Sequence, residues 1–321
     1  MKAEEIQNIG VIGAGLMGHG IAQVFAIKGY KVNLFDNDPG VLKGAPKRIR
    51  NNLQILLKMG LIESQGIEDC LNHVRLSHTL TEMGEGIELA IEAVSENLNL
   101  KRAIFSDLER LTSPQTILCS NTSGISISLI SEKLQFKERV VGTHFWNPPH
   151  IVPCVEVIKS QFGSDGIFDT VVELMKRIGK EPVRVLKDVP GFLGNRLQHA
   201  LWREAISLVE KGIAEPEDID RVVKYGFGLR LPFLGPLETA DLAGLDLTYD
   251  IHQYLFSDLE NRSKPSPFLK TLVDQKTIGV KVKKGFYHWT DESIRQIIQQ
   301  RDKALIKITE VIKELNREND Q

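Results

Sequence analysis

The stretch NIGVIGAGLMGHGIAQVFAIKGYKVNLFD, Asn8 to Asp36, restricts the possible folds of this chain more than any other. A short apolar run (Ile9, Val11, Ile12) leads into Gly13-Ala-Gly15-Leu16-Met17-Gly18, a G-x-G-x-x-G between an expected strand and an expected helix. Gly13 permits a tight turn, Gly15 lets a pyrophosphate approach the backbone, and Gly18 lets the helix lie against its strand. Leu16 and Met17 open the helix, where unpaired N–H groups and the positive end suit phosphate. Ile21, Ala22, Val24 and Phe25 form the inward stripe, Lys31 to Phe35 reads as a second strand, and Asp36 ends it, eighteen positions beyond Gly18. A carboxylate there accepts from ribose hydroxyls. Asn37 and Asp38 follow, and no Arg or Lys comes before Lys43, so a 2′-phosphate would face carboxylates and no nearby guanidinium. NAD is therefore expected over NADP. Glycine-rich turns also occur in loops that bind nothing; the strand, the helix and the acid at its offset argue against that here.

The chain has 321 residues, 42% apolar and 26% charged, enough for two cores of ordinary size. With 40 Lys and Arg against 42 Asp and Glu, no global positive field exists to hold nucleic acid or an anionic membrane. Cys70, Cys119 and Cys154 are odd in number and form no C-x-x-C pair, which argues against a disulfide framework and a structural zinc site and fits a reducing cytoplasm. MKAEEIQNIG resembles no signal or transit segment, and no apolar run is long enough to span a bilayer.

After Asp36 the segment from Val41 to about Met59 has a helical apolar stripe and a basic face of Lys47, Arg48, Arg50 and Lys58. That face reads either as solvated charge or as a patch, centred on Arg48, for a phosphorylated substrate tail. Short strands and helices then alternate: a strand at 74–76, one at 88–92, a helix at 98–111, a strand at 116–120, a short helix at 126–133 and a strand at 140–144. The alternation predicts a Rossmann-type α/β domain, a mostly parallel doubly wound sheet with ligands at the carboxyl ends of its strands. Polar clusters at those ends hold Glu96 and Asn97, Ser120 and Ser123, and His144. A helix at 165–178 and a strand at 182–186 follow, and the break at Asp188-Val-Pro190-Gly191 places the domain boundary between 188 and 189. Residues 189–321 read as an all-α domain with helices at 192–211, 216–225, 237–255 and 292–319. The last is an amphipathic extension packed on the body or on a partner subunit.

Oxidation of an alcohol needs a base for the hydroxyl proton, and imidazole suits that task. Of eight histidines only His144 falls at the carboxyl end of an expected sheet strand. Glu156 follows inside the apolar run Ile151 to Ile158, where an unpaired carboxylate would be costly. Pairing with one nitrogen of His144 would satisfy the acid and fix the tautomer. The alternative is a core histidine bonded to backbone.

GAGLMGHGIA (13–22), EAVSEN (92–97), SNTS (120–123), HFWNP (144–148), VEVI (155–158), PGFLGNR (190–196) and GPLETADLAGLD (235–246), in that order, resemble the L-3-hydroxyacyl-CoA dehydrogenase family. The resemblance covers nearly the whole chain. It implies NAD-linked oxidation of a 3-hydroxyl to a 3-keto group, a helical dimerising domain and hence a homodimer. It also implies His144 as catalytic base, Glu156 as its support, and Ser123 and Asn195 as hydrogen-bonding partners of the reacting oxygens; Glu96 and Asn97 fall near the nicotinamide ribose. Three departures are similar to branches acting on small free hydroxy acids: the longer Gly226 to Pro236 loop with Arg230, the NPPHIVP sequence after Trp146, and the tail beyond Tyr287. Arg230 is there a candidate clamp for a free carboxylate, or else a salt-bridge residue.

Overall fold

In the computed structural model of the chain, which describes residues 1–319, the residues form two compact units, Met1–Arg196 and Leu197–Gln321. The first contains β1 (Asn8–Ile12), α1 (Gly18–Ala26), β2 (Lys31–Phe35), α2 (Pro39–Lys58), α3 (Ser64–Asn72), β3 (Val74–Ser77), α4 (Leu80–Gly84) and β4 (Leu89–Glu92). It continues with α5 (Leu98–Leu111), β5 (Ile117–Ser120), α6 (Ile127–Ser131), β6 (Val140–Phe145), β7 (Cys154–Lys159), α7 (Asp165–Arg177) and β8 (Glu181–Val185). The eight strands form one sheet in the order β3-β2-β1-β4-β5-β6-β7-β8. Pairing is parallel from β3 to β6, β7 runs antiparallel to β6, and β8 runs parallel to β7.

Both faces are covered, so β4 and β5 are buried along their whole length and read as short apolar runs that end in Glu92 and Ser120. On one face Ile9, Val11, Leu34 and Ile91 pack with Ile21, Phe25, Ile49 and Val171 from α1, α2 and α7. On the other, Ile12, Ala90 and Leu118 pack with Met83, Phe105, Leu108 and Ile127 from α4, α5 and α6. Each such wholly buried side chain contributes about 1.5–3 kcal/mol. Gly10 decides how close α4 can come, because a Cβ there would lie 2.4 Å from Met83 Sδ. Helix starts follow their caps: Asp38 accepts from the Gly40 and Val41 amides with Pro39 in the first turn, and Asn97 accepts from Leu100 N–H. The helices α3 and α4, not expected from the sequence, are short, nine and five residues long.

The break between units falls after Arg196, eight residues beyond the expected boundary at Asp188. The intervening segment is tied to the first unit: Leu193 and Gly194 N–H groups donate to Glu156, and Asp188 accepts from Ser126 Oγ and Ser128 N–H. The second unit takes most of α8 (Gly194–Glu210) and α9 (Pro216–Tyr225), α10 (Pro236–Ala243), α11 (Leu245–Leu255), α12 (Pro267–Asp274) and α13 (Asp291–Asn319). The single helix expected over 237–255 is two, because Gly244 adopts φ +97° and ends α10 before α11 begins. No helix among the described residues is long and apolar enough to cross a membrane.

Candidate active site

At the carboxyl end of β1, Gly13 takes φ +95°, a conformation that disfavours side chains, and donates its N–H to Phe35 O. Gly18 packs so closely on the turn that a Cβ would lie 1.7 Å from Gly13 O, whereas nothing lies within 4 Å of a Cβ on Gly15. Gly15 therefore faces open space, as a backbone that must admit a pyrophosphate has to. The N–H groups of Gly15, Leu16 and Met17 donate to no acceptor among the described residues, and Leu16 is exposed. Two of the turn's carbonyls accept from side chains: His19 Nδ1 donates to Gly15 O at 2.5 Å and Arg48 Nη2 to Ala14 O at 2.8 Å. Burial pushes the His19 imidazole below its ordinary pKa, which keeps it neutral beneath a site that must receive anions. Asp36 Oδ2 accepts from Ala14 N–H at 2.7 Å, placing its carboxylate beside the turn. These residues fit NAD: open amides for the diphosphate, a carboxylate for the ribose, and glycine where contact is closest.

Across the sheet, His144 on β6 and Glu156 on β7 are direct antiparallel partners. His144 Nδ1 donates to Glu156 Oε2 at 2.8 Å, with the residues 4% and 2% exposed. Glu156 Oε1 accepts from Leu193 N–H at 2.9 Å and Gly194 N–H at 3.0 Å. Burial alone would raise the Glu156 pKa, but the His144 hydrogen bond and these two amides outweigh it and hold the carboxyl below its usual range. An ionised Glu156 only accepts, so the proton of His144 sits on Nδ1 and the Nε2 lone pair is left without a partner among the described residues. The ring is framed by Trp146 at 5.1 Å and Phe192 at 6.0 Å between centroids.

Two features of this frame escaped the sequence reading. Phe192 is buried at φ 51°, costing about 1–2 kcal/mol for a residue with a side chain, and that turn aims the next two amides at Glu156. Gly194 admits the Trp146 indole, since a Cβ would lie 2.2 Å from Trp146 Cζ2.

A second buried carboxylate lies at the end of β4. Glu92 Oε1 accepts from Lys101 Nζ at 2.8 Å and Val94 N–H at 2.8 Å, and Glu92 Oε2 accepts from Ser120 Oγ at 2.7 Å. Lys101, 1% exposed, also lies 3.3 Å from Glu96 Oε2. Glu96 Oε1 in turn accepts from Thr122 Oγ1 at 2.6 Å and from the N–H groups of Ser123 and Gly124 at 3.1 and 3.2 Å. Burial opposes ionisation of Glu96, but Thr122 and Lys101 overcome it and lower its pKa. The turn so held presents Ser123, which is exposed, with its Oγ unpaired among the described residues. Asn195 Nδ2 donates to Ser123 O at 2.6 Å, joining the turn to the start of α8.

The structure thus brings Ser123 and Asn195 together, pairs His144 with Glu156, and ties Glu96 and Ser120 into one network; Asn97 serves as the cap of α5. The basic face of α2 is partly committed: Arg48 donates to Ala14 O and Val41 O, and Arg50 pairs with Glu68. Arg230 ends a 3₁₀ turn in the second unit, exposed and in no ion pair among the described residues. The NPPHIVP loop turns its distinctive residues inward. Pro149 would lie 2.6 Å from a Cβ on Gly20 of α1, and the buried Lys180 ammonium donates to Pro149 O and Val152 O at 2.6 and 2.8 Å.

Residues 8–189 match the NAD binding domain of 3-hydroxyacyl-CoA dehydrogenase and residues 191–289 its C-terminal domain. A Mesorhizobium japonicum protein named 5-formyl-3-hydroxy-2-methylpyridine 4-carboxylate 5-dehydrogenase is 34% identical over 308 residues, 96% of this chain and 98% of that one. A solved structure of an enzyme of that name, described as an NAD+ dependent dismutase, aligns with a TM-score of 0.89 at 33% identity, covering 96% and 99% of the two chains. The (S)-3-hydroxybutyryl-CoA dehydrogenase of Ralstonia eutropha aligns at 0.75 and 30% identity, covering 89% of this chain and 100% of its own.

Proposed function

The chain belongs to the 3-hydroxyacyl-CoA dehydrogenase family, and from that premise we propose that His144 is the proton-transferring group of an NAD-dependent dehydrogenase acting on L-3-hydroxyacyl-CoA. The observation that carries this is the buried 2.8 Å bond from Nδ1 to Glu156, which leaves Nε2 as a base of fixed tautomer. In the oxidative direction Nε2 takes the proton of the C3 hydroxyl, and the ionised Glu156 stabilises the imidazolium that results. NAD, held by the Gly13 to Gly18 turn and Asp36, supplies the hydride acceptor. Ser123 Oγ and the remaining N–H of Asn195 Nδ2 hydrogen-bond the reacting oxygen, and donors of this kind are worth on the order of 10²-fold or more. Glu96, with Asn97 and Ser120 beside it, keeps the Ser123 turn in place at the nicotinamide end.

A second substrate reading, a small free hydroxy acid, is favoured by one observation. The family's C-terminal domain ends at residue 289, before α13, and the match to the pyridine-carboxylate enzyme covers 96% of the chain. Arg230 would then clamp the free carboxylate. NADH absorbance followed with acetoacetyl-CoA, and NAD reduction followed with a panel of free hydroxy acids, separates the two. Turnover of acetoacetyl-CoA supports the first reading; turnover confined to a carboxylate overturns it in favour of the second.

We also propose a homodimer formed through the second unit, in a reducing cytoplasm. Among its described residues only Ser207, Ile219 and Ile306 are buried, while Tyr225, Leu237, Leu242, Tyr249 and Tyr254 are each at least two-thirds exposed. So much apolar surface on one face-forming unit calls for a partner surface.

A further inference from the structure

We propose that Arg48 makes the adenosine end of the dinucleotide site a 2′-phosphate site in waiting, and that the carboxylate of Asp36 keeps the protein on NAD. The sequence places no guanidinium near Asp36; the fold does. Ala14 is bracketed by both residues, its N–H donating to Asp36 Oδ2 at 2.7 Å and its carbonyl accepting from Arg48 Nη2 at 2.8 Å. Arg48 reaches that position by folding back along α2, where Nη2 also donates to Val41 O at 2.7 Å. Gly44 makes room for this, because a Cβ there would lie 2.7 Å from Arg48 Nη1.

The guanidinium is not spent. Arg48 has no ion pair among the described residues; Nη2 serves two carbonyls and Nε is buried, which leaves Nη1 to donate. The Lys43 and Lys47 side chains, exposed on the same half of α2, are likewise in no ion pair among the described residues. A 2′-phosphate brought to this corner meets the cationic edge of the guanidinium at Nη1, with Asp36 and Asp38 as the opposing charges. Removing the Asp36 carboxylate has two effects at once: it weakens the repulsion, and it frees the Ala14 N–H to donate to the phosphate. The same removal takes away the acceptor for the ribose hydroxyls of NAD.

The test is Asp36→Ser in the full-length protein, with dissociation constants for NADH and NADPH from the fluorescence of the bound nicotinamide, and with thermal shift by adenosine 2′,5′-bisphosphate as a readout that needs no turnover. NADH affinity is expected to fall and NADPH affinity to rise by at least roughly tenfold, the scale of one hydrogen bond to a charged group. The gain is expected to vanish in Asp36→Ser/Arg48→Gln and to persist in part in Asp36→Ser/Arg48→Lys, which keeps the charge and loses the Nη1 donor. Asp36→Asn, closer in shape, replaces the serine variant if that does not fold. No gain in a variant that still binds NADH overturns the proposal, as does a gain that survives loss of Arg48. A wild-type protein that binds neither dinucleotide overturns it together with the NAD assignment.

Discussion

Two buried carboxylates, Glu92 and Glu156, each accept three hydrogen bonds from similar sets of donors, and only one of them faces a group that can change charge during a reaction. Glu92 is held by an ammonium, a hydroxyl and a backbone amide; Glu156 by an imidazole and two backbone amides. The Lys101 pair is a fixed rivet between α5 and the ends of β4 and β5. His144 can gain and lose a proton, so its pair can do proton transfer while keeping the same number of hydrogen bonds. Burial and satisfaction of polar groups are common to both, and the identity of the partner separates scaffold from chemistry.

Lys101→Met leaves Glu92 buried and without its cation, and should cost about 3–5 kcal/mol in urea unfolding. A loss below about 1 kcal/mol would mean that the pair is not the rivet described. Glu156→Gln should cost about 1.5–3 kcal/mol near neutral pH, the worth of a charged hydrogen bond. Because the folded Glu156 pKa lies below its unfolded value near about 4.3, its contribution is complete above that value and is lost as pH falls through the depressed one. The difference between wild type and Glu156→Gln should therefore narrow as pH falls below about 4, where the carboxylate takes up its proton. A difference that does not narrow there would contradict an ionised Glu156. Ser123→Ala, at an exposed position, should change stability by no more than about 0.5 kcal/mol and lower kcat on the order of 10²-fold. Equal turnover in that variant would take Ser123 out of the reaction.

Legibility in the sequence follows the same division. His144 and Glu156 could be paired from the sequence because a carboxylate in the apolar run 151–158 stands out and the histidine ends an expected strand; register then made them direct partners. Asp36 and the three glycines were equally plain, since their spacing is the chemistry. Lys101 was not, because a lysine on an amphipathic helix reads as a solvated residue until α5 is docked against β4. The directions of Arg48 and Pro149 were not legible for a related reason: both side chains fold back onto α1 or its turn, a direction that no periodicity encodes. The split of 237–255 into α10 and α11 turned on one glycine at positive φ, in a stretch whose apolar spacing runs through the break.

The most direct measurement is on His144→Gln, assayed for NADH binding by fluorescence and for turnover on whichever substrate the wild-type protein accepts. The NADH dissociation constant should stay within about twofold while kcat falls roughly 10²- to 10⁴-fold, the worth of a positioned general base. A variant that keeps kcat within tenfold of wild type would contradict the assignment of His144 as the proton-transferring group.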